Sequence, residues 1–140
     1  MDRRVIVDTR EQRPYVFEGS VRKALPAGDY SLEGLETQFA IERKSLDDWV
    51  STVIHDANRF AAELAKLREY QIAVIVIEGG LSDILSGNYK SKATPHSLLG
   101  ITLKLMLENH GRVQIVFCDD RPHAYALVSE MLELAAKRFA

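Results

Sequence analysis

An aspartate and a Glu-x-Lys lie close together near the start of this chain: Gly28-Asp29-Tyr30 is followed by Ile41-Glu42-Arg43-Lys44, and Asp48 comes one helical turn later. Two carboxylates can share a divalent cation such as Mg²⁺, and a lysine beside them can orient an attacking water or offset charge that grows on a phosphate. That is the chemistry of a metal-dependent phosphodiesterase, with Asp29 and Glu42 as the metal ligands. The alternative is a solvated strand face with an exposed ion pair, worth little to stability. Such a face would have to place Glu, Arg and Lys together where the preceding strand residues are apolar.

The elements that would position these residues can be read from pattern. Residues 4–9 predict a strand from which Asp8 emerges, followed by the polar loop 9–14. Leu25-Pro26-Ala27-Gly28 is turn chemistry, and residues 29–32 and 37–44 predict two strands joined near Gly34. Alternation sends Phe39, Ile41 and Arg43 to one face and Ala40, Glu42 and Lys44 to the other, so Glu42 and Lys44 project together. Residues 45–70 predict helix in two pieces broken near His55-Asp56, and Phe60, Leu64 and Leu67 form a buried stripe on the second. Ser45-x-x-Asp48 has the form of a capping box, a structural role for Asp48 compatible with a place at the site.

Gln71 to Glu78 is a continuous apolar run suited to a central strand covered on both faces. Residues 79–93 read as irregular, Thr94-Pro95 starts a helix that runs to about His110, residues 112–118 predict a strand, and a helix from Pro122 to Phe139 ends the pattern. Strands alternating with helices argue for an α/β sandwich whose sheet is at least partly parallel. In the last helix, Ala124, Leu127, Met131 and Leu134 form one apolar stripe, and Tyr125, Val128, Leu132 and Phe139 another. One can cover the sheet while the other meets a second subunit.

Composition sets the frame. The 140 residues are 46% hydrophobic and 27% charged, as expected of one globular domain. No stretch has the apolar length of a membrane span, and the charged start Met1-Asp2-Arg3-Arg4 predicts no signal peptide, so an intracellular protein is expected. The formal net charge of -2 argues against a pure DNA-binding module, although carboxylates that a cation neutralises in use would add to that count. The single Cys118 reads as a small core residue, and the four histidines lack metal-ligand spacing. Tyr89 between Asn88, Lys90 and Lys92 could stack on a base while the lysines meet phosphates. Trp49 is expected beneath the site as packing.

Taken in order, these residues resemble the XPF-type structure-specific endonuclease family, whose signature is GD, a variable gap, ERK, three residues and D. Here it stands as Gly28-Asp29, Glu42-Arg43-Lys44 and Asp48. Val7-Asp8-Thr9-Arg10-Glu11 resembles the D-x-R-E element that precedes the signature, and Arg59-Phe60 with Glu63-Leu64 the RF-x-x-E-L helix that follows. The resemblance implies a restriction-endonuclease-like fold: a three-layer α/β sandwich with a central mixed sheet and helices on both faces. It implies Mg²⁺- or Mn²⁺-dependent cleavage of branched DNA, with Asp8, Glu11, Asp29, Glu42 and Lys44 catalytic and Arg10, Arg43 and Asp48 in support. Asp8 becomes a third candidate metal ligand, and Arg13, Arg59, Tyr89, Lys90 and Lys92 are candidate DNA contacts.

The resemblance also implies a homodimer or heterodimer through the C-terminal helix, and residues 1–140 are expected to form a single nuclease domain without the helix-hairpin-helix modules that members commonly append. A silent or partner-dependent DNA-binding subunit, a restriction-like nuclease without junction preference, and an ordinary α/β interaction domain stay open as rivals.

Overall fold

The computed structural model describes residues 3–140, so Met1 and Asp2, part of the charged start, lie outside it. In chain order the elements are β1 (Val5–Val7), β2 (Val21–Arg22), β3 (Tyr30–Leu32), β4 (Phe39–Ser45), α1 (Leu46–His55), α2 (Ala57–Leu67), β5 (Ile72–Glu78), α3 (Leu81–Ser86), α4 (Pro95–Glu108), β6 (Gln114–Phe117) and α5 (Arg121–Arg138). The strands form one sheet in the order β2-β1-β3-β4-β5-β6. β3 is antiparallel to both β1 and β4, whereas β4, β5 and β6 run parallel. The sheet is therefore mixed, as the α/β reading expects.

Side-chain alternation on this sheet builds two cores. On one face Ile41, Val74 and Val76 pack with Val128 and Leu132 of α5. On the other, Ala40, Ala73, Ile75 and Ile77 pack with Trp49 of α1, Phe60 and Leu64 of α2 and Leu98 of α4. Helices thus cover both faces, which is why β5 is apolar at every position but its last. Trp49 is fully buried, and its indole N–H donates to Thr102 Oγ1 at 3.0 Å. It is packing, as expected.

Several boundaries follow local chemistry. The break between α1 and α2 falls at Asp56, whose φ of -120° and ψ of 34° leave the helical region. Thr94 caps α4 by accepting from the Ser97 N–H at 3.1 Å, with Pro95 in the first turn. Two elements depart from the sequence reading. β2 is a two-residue strand parallel to β1 within a loop. α3 occupies the stretch read as irregular and buries only Ile84. The stripes of α5 are also reassigned: Ala124, Val128, Leu132 and Ala135 face the sheet, while Leu127, Met131 and Leu134 line an open groove.

Candidate active site

The end of β1, the turn before β3, the β4 strand and one side of α2 enclose a cleft of about 340 Å³. Asp29, Glu42 and Lys44 all line it. Asp29 is fixed by its own backbone, since its N–H donates to Ile41 O and its carbonyl accepts from Asp8 N–H, each at 2.8 Å. Gly28 permits this approach: its φ is +79°, and a Cβ there would stand 3.1 Å from Ala40 Cβ and 3.2 Å from Ile41 O. The Asp29 carboxylate then receives the Arg43 N–H on Oδ2 at 2.7 Å. Glu42 and Lys44 share the cleft side of β4, and Lys44 Nζ lies 3.7 Å from Glu42 Oε2.

The electrostatics of this pair are those of charges short of solvation. Burial raises the pKa of Asp29, and the charge of Glu11 adds to the rise against the opposing Arg43 N–H bond. Burial likewise raises Glu42, reinforced by the charge of Asp29 and opposed by Lys44. Burial and neighbouring carboxylate charge thus hold both carboxylates above the ordinary range.

Glu63, on α2, lines the same cleft, and its buried Oε2 has no hydrogen-bond partner among the described residues. An orphaned acceptor beside two under-solvated carboxylates suits a hard divalent cation. No three acidic, histidine or cysteine side chains among the described residues already stand in a closed cage. Asp29 and Glu42 would therefore provide the protein's share of a shell completed largely by water and phosphate oxygens, the usual way Mg²⁺ is held.

The other expected site residues divide clearly. Asp8 borders the cleft, but its oxygens are already engaged by the Arg10 side chain, Arg10 N–H and Leu25 N–H in four hydrogen bonds, which fill the acceptor capacity of a carboxylate. Burial acts to raise its pKa, yet these bonds prevail and hold it low. As arranged here, Asp8 anchors Arg10 and the following loop, and Arg10 lines the cleft. Glu11 does not line it. The Glu11 carboxylate binds Arg43 on the opposite face of the sheet, where the Arg43 side chain also points, so Arg43 reaches the site through its main chain alone. Asp48 is exposed and outside the cleft, where its N–H caps α1 through Ser45 Oγ at 3.1 Å.

Of the candidate DNA contacts, none lines the cleft directly. Arg59 lies one turn before Glu63 on α2 with its side chain exposed. Lys90 and Lys92 are exposed beyond α3, and the Lys90 N–H is held by Asp47 Oδ1 at 2.9 Å, which brings that loop to the start of α1. Tyr89 is half-buried, its hydroxyl donating to Ala93 O at 2.7 Å, so its ring is committed to packing. Arg13 is exposed, and its N–H donates to Glu11 Oε1 at 3.0 Å. Glu63 and Lys66 were given no role from sequence. Glu63, three residues after Phe60 and four before Leu67, lies on the margin of the buried stripe and within the Arg59-Phe60…Glu63-Leu64 element, the signals that could have found it, whereas Lys66 carries no such pattern.

Comparison with known proteins gives the family and the fold. The ERCC4 domain family matches residues 7–131. XPF from Aeropyrum pernix superposes with a TM-score of 0.71 at 24% identity, over 94% of this chain and 61% of that one. XPF from Aeropyrum pernix in complex with DNA superposes at 0.69 and 27%, over 97% of this chain and 66% of that one. This chain thus spans less than two thirds of the solved chains it matches. No curated protein matches it.

Proposed function

The chain belongs to the ERCC4 domain family, and from that membership we propose that it is a Mg²⁺- or Mn²⁺-dependent endonuclease that hydrolyses phosphodiester bonds in branched DNA. The observation that carries the reading is the convergence of Asp29, Glu42 and Lys44 on one cleft in which both carboxylates lack solvation. Asp29 and Glu42 would hold the cation, which when bound supplies Lewis-acid polarisation of the phosphate and acidifies water. Lys44 Nζ, on the Glu42 side of the cleft, would orient an attacking water and meet charge on the non-bridging oxygens as the water oxygen bonds to phosphorus and the opposite phosphorus–oxygen bond breaks, the water's proton passing to solvent and the leaving oxygen taking one from it. Arg10 and Lys66 line the cleft and offer cations to the flanking phosphates. This is how a chain of net negative charge can accept DNA: its positive charge is local.

The solved relative in complex with DNA supports DNA as the ligand. In this reading residues 1–140 form one nuclease domain, its partner is a second subunit seated on α5, and an intracellular location follows from the substrate. No described helix is long and apolar enough to cross a membrane.

Flap, forked, single-stranded and plain duplex DNA, incubated with and without Mg²⁺ or Mn²⁺ beside an Asp29→Ala control, test the proposal. Metal-dependent cutting of forks or flaps that is lost in the control is the expected result. Equal cutting of plain duplex would replace it with a nuclease lacking junction preference. No cutting of any substrate would sink the enzymatic reading.

A further inference from the structure

Behind the cleft, on the sheet face covered by α5, lies a buried group of charges that the hydrolytic scheme does not use. The Arg43 guanidinium donates to the two Glu11 carboxylate oxygens at 2.9 and 3.0 Å and to Glu78 Oε1 at 2.9 Å. Glu78, the last residue of β5, accepts on Oε2 the Tyr15 hydroxyl at 2.6 Å and Arg121 Nη1 at 3.2 Å. Arg121, the first residue of α5, also donates to Arg13 O at 2.8 Å and stands over the Tyr15 ring, 4.7 Å from its centroid. The Arg43, Glu11 and Glu78 side chains are only 5 to 7% exposed.

Two carboxylates and two guanidinium groups balance here, but burying them is costly, and apolar side chains of equal volume often serve packing as well or better. Packing alone therefore gives no reason for the network. Its geometry offers one. It ties the loop after β1, the end of β5 and the start of α5 to a single residue, Arg43. The main chain of Arg43 holds Asp29 Oδ2 at 2.7 Å across the strand, and its neighbours in sequence are Glu42 and Lys44.

We propose that Glu78 is a positioning residue: together with Tyr15 and Arg121 it clamps the Arg43 side chain behind the sheet and thereby sets the relative placement of Asp29, Glu42 and Lys44 in the cleft. The inference rests on the nuclease reading for its kinetic consequence, but its consequence for cation binding stands separately. Glu78, Tyr15 and Arg121 do not line the cleft, so any effect of theirs on cation or water must pass through Arg43. Because a misplacement near 1 Å can lower turnover by about 100-fold, a small relaxation of β4 would be readable.

Two variants separate positioning from bulk stability. Glu78→Gln/Arg121→Gln removes one charge of each sign and keeps the network neutral, and Tyr15→Phe deletes a single hydroxyl. Mn²⁺ affinity by calorimetry, kcat and KM on forked DNA, and thermal unfolding are measured for both and for the wild type. The double variant is expected to unfold within a few degrees of the wild type, to keep KM for DNA within about twofold, to bind Mn²⁺ several-fold more weakly and to lose about 10- to 100-fold in kcat. Tyr15→Phe should shift Mn²⁺ affinity and kcat in the same direction by about threefold, and it decides the matter if the double variant does not fold.

Wild-type Mn²⁺ affinity and kcat in the folded variants would overturn the proposal. So would a loss of activity that only tracks the unfolded fraction. If the wild type binds Mn²⁺ but cuts no DNA, the nuclease reading falls while the affinity comparison still decides the role of Glu78. If the wild type binds no Mn²⁺, both fall.

Discussion

Glu42 is the residue whose surroundings make the sharpest demand. Burial and the neighbouring Asp29 raise its pKa, so in the metal-free protein the folded state releases this proton less readily than the unfolded chain does. The sign follows: as pH rises from the ordinary carboxylate value through the raised one, the native state binds more protons than the unfolded state and stability falls. The full penalty is present once the pH exceeds the raised value. Glu42→Gln should therefore stabilise the metal-free protein at pH 8 by about 1 to 2 kcal/mol, even though Lys44 loses its partner, and the gain should vanish near pH 4. Mn²⁺ should raise the melting temperature of the wild type and leave that of the variant almost unchanged. Thermal unfolding at the two pH values, with and without Mn²⁺, checks this, and a variant less stable at pH 8 would refute it.

At this scale Asp29, Glu42 and Lys44 were legible because residue type and strand alternation determine which side chains share a face. Glu11 and Asp48 were placed nearer the cleft than they lie, because spacing along the chain does not show that Arg43 draws Glu11 through to the other face or that α1 turns Asp48 outward.

Among the elements, the turn before β3 determines whether the two carboxylates can meet at all. Gly28 adopts a positive φ and lies so close to β4 that an added Cβ would press on Ala40 Cβ and on the Ile41 carbonyl, and backbone cannot yield as a flexible side-chain tip can. Gly28→Ala should cost about 1 to 3 kcal/mol in denaturant unfolding, the joint effect of a left-handed alanine and the crowded contact. It should also push Asp29 away from the Arg43 N–H, so Mn²⁺ affinity should fall more than the stability loss alone explains. An affinity equal to that of the wild type in the folded fraction would show that Asp29 is held by other means. The elements themselves were readable where periodicity ran long, as in β5 and α2. They were missed where they were short: β2 has two residues, and α3 opens after Gly80 and buries one side chain, too little pattern for a period to show.

For the whole molecule, the asymmetry between the two sheet faces matters most. Four helices, α1, α2, α4 and, through Ile84, the short α3, cover the cleft-side core, whereas α5 alone covers the other, and beside it Phe39, Ile72, Leu127, Met131 and Leu134 line an open apolar groove of about 610 Å³. Sequence could not say which stripe of α5 turns inward, because apolar residues lie on most of its circumference. The small side chains of Ala124 and Ala135 resolve it by letting the helix settle close to the sheet along their line, which leaves the bulkier Leu127 and Met131 outside. Leu134 is 61% exposed there, an apolar cost that a second subunit would relieve. A standard interface takes about 800 Å² from each partner, roughly a tenth of the 7959 Å² surface of this chain. Met131→Lys should therefore convert a dimer to a monomer in light scattering at micromolar concentration while leaving the melting temperature of the subunit close to that of a diluted wild type, because the position is peripheral to the buried stripe. A wild type that is monomeric throughout would overturn pairing through α5, and a variant that stays dimeric would move the interface elsewhere, with β6 as the next candidate because it is the open edge of the sheet on that side.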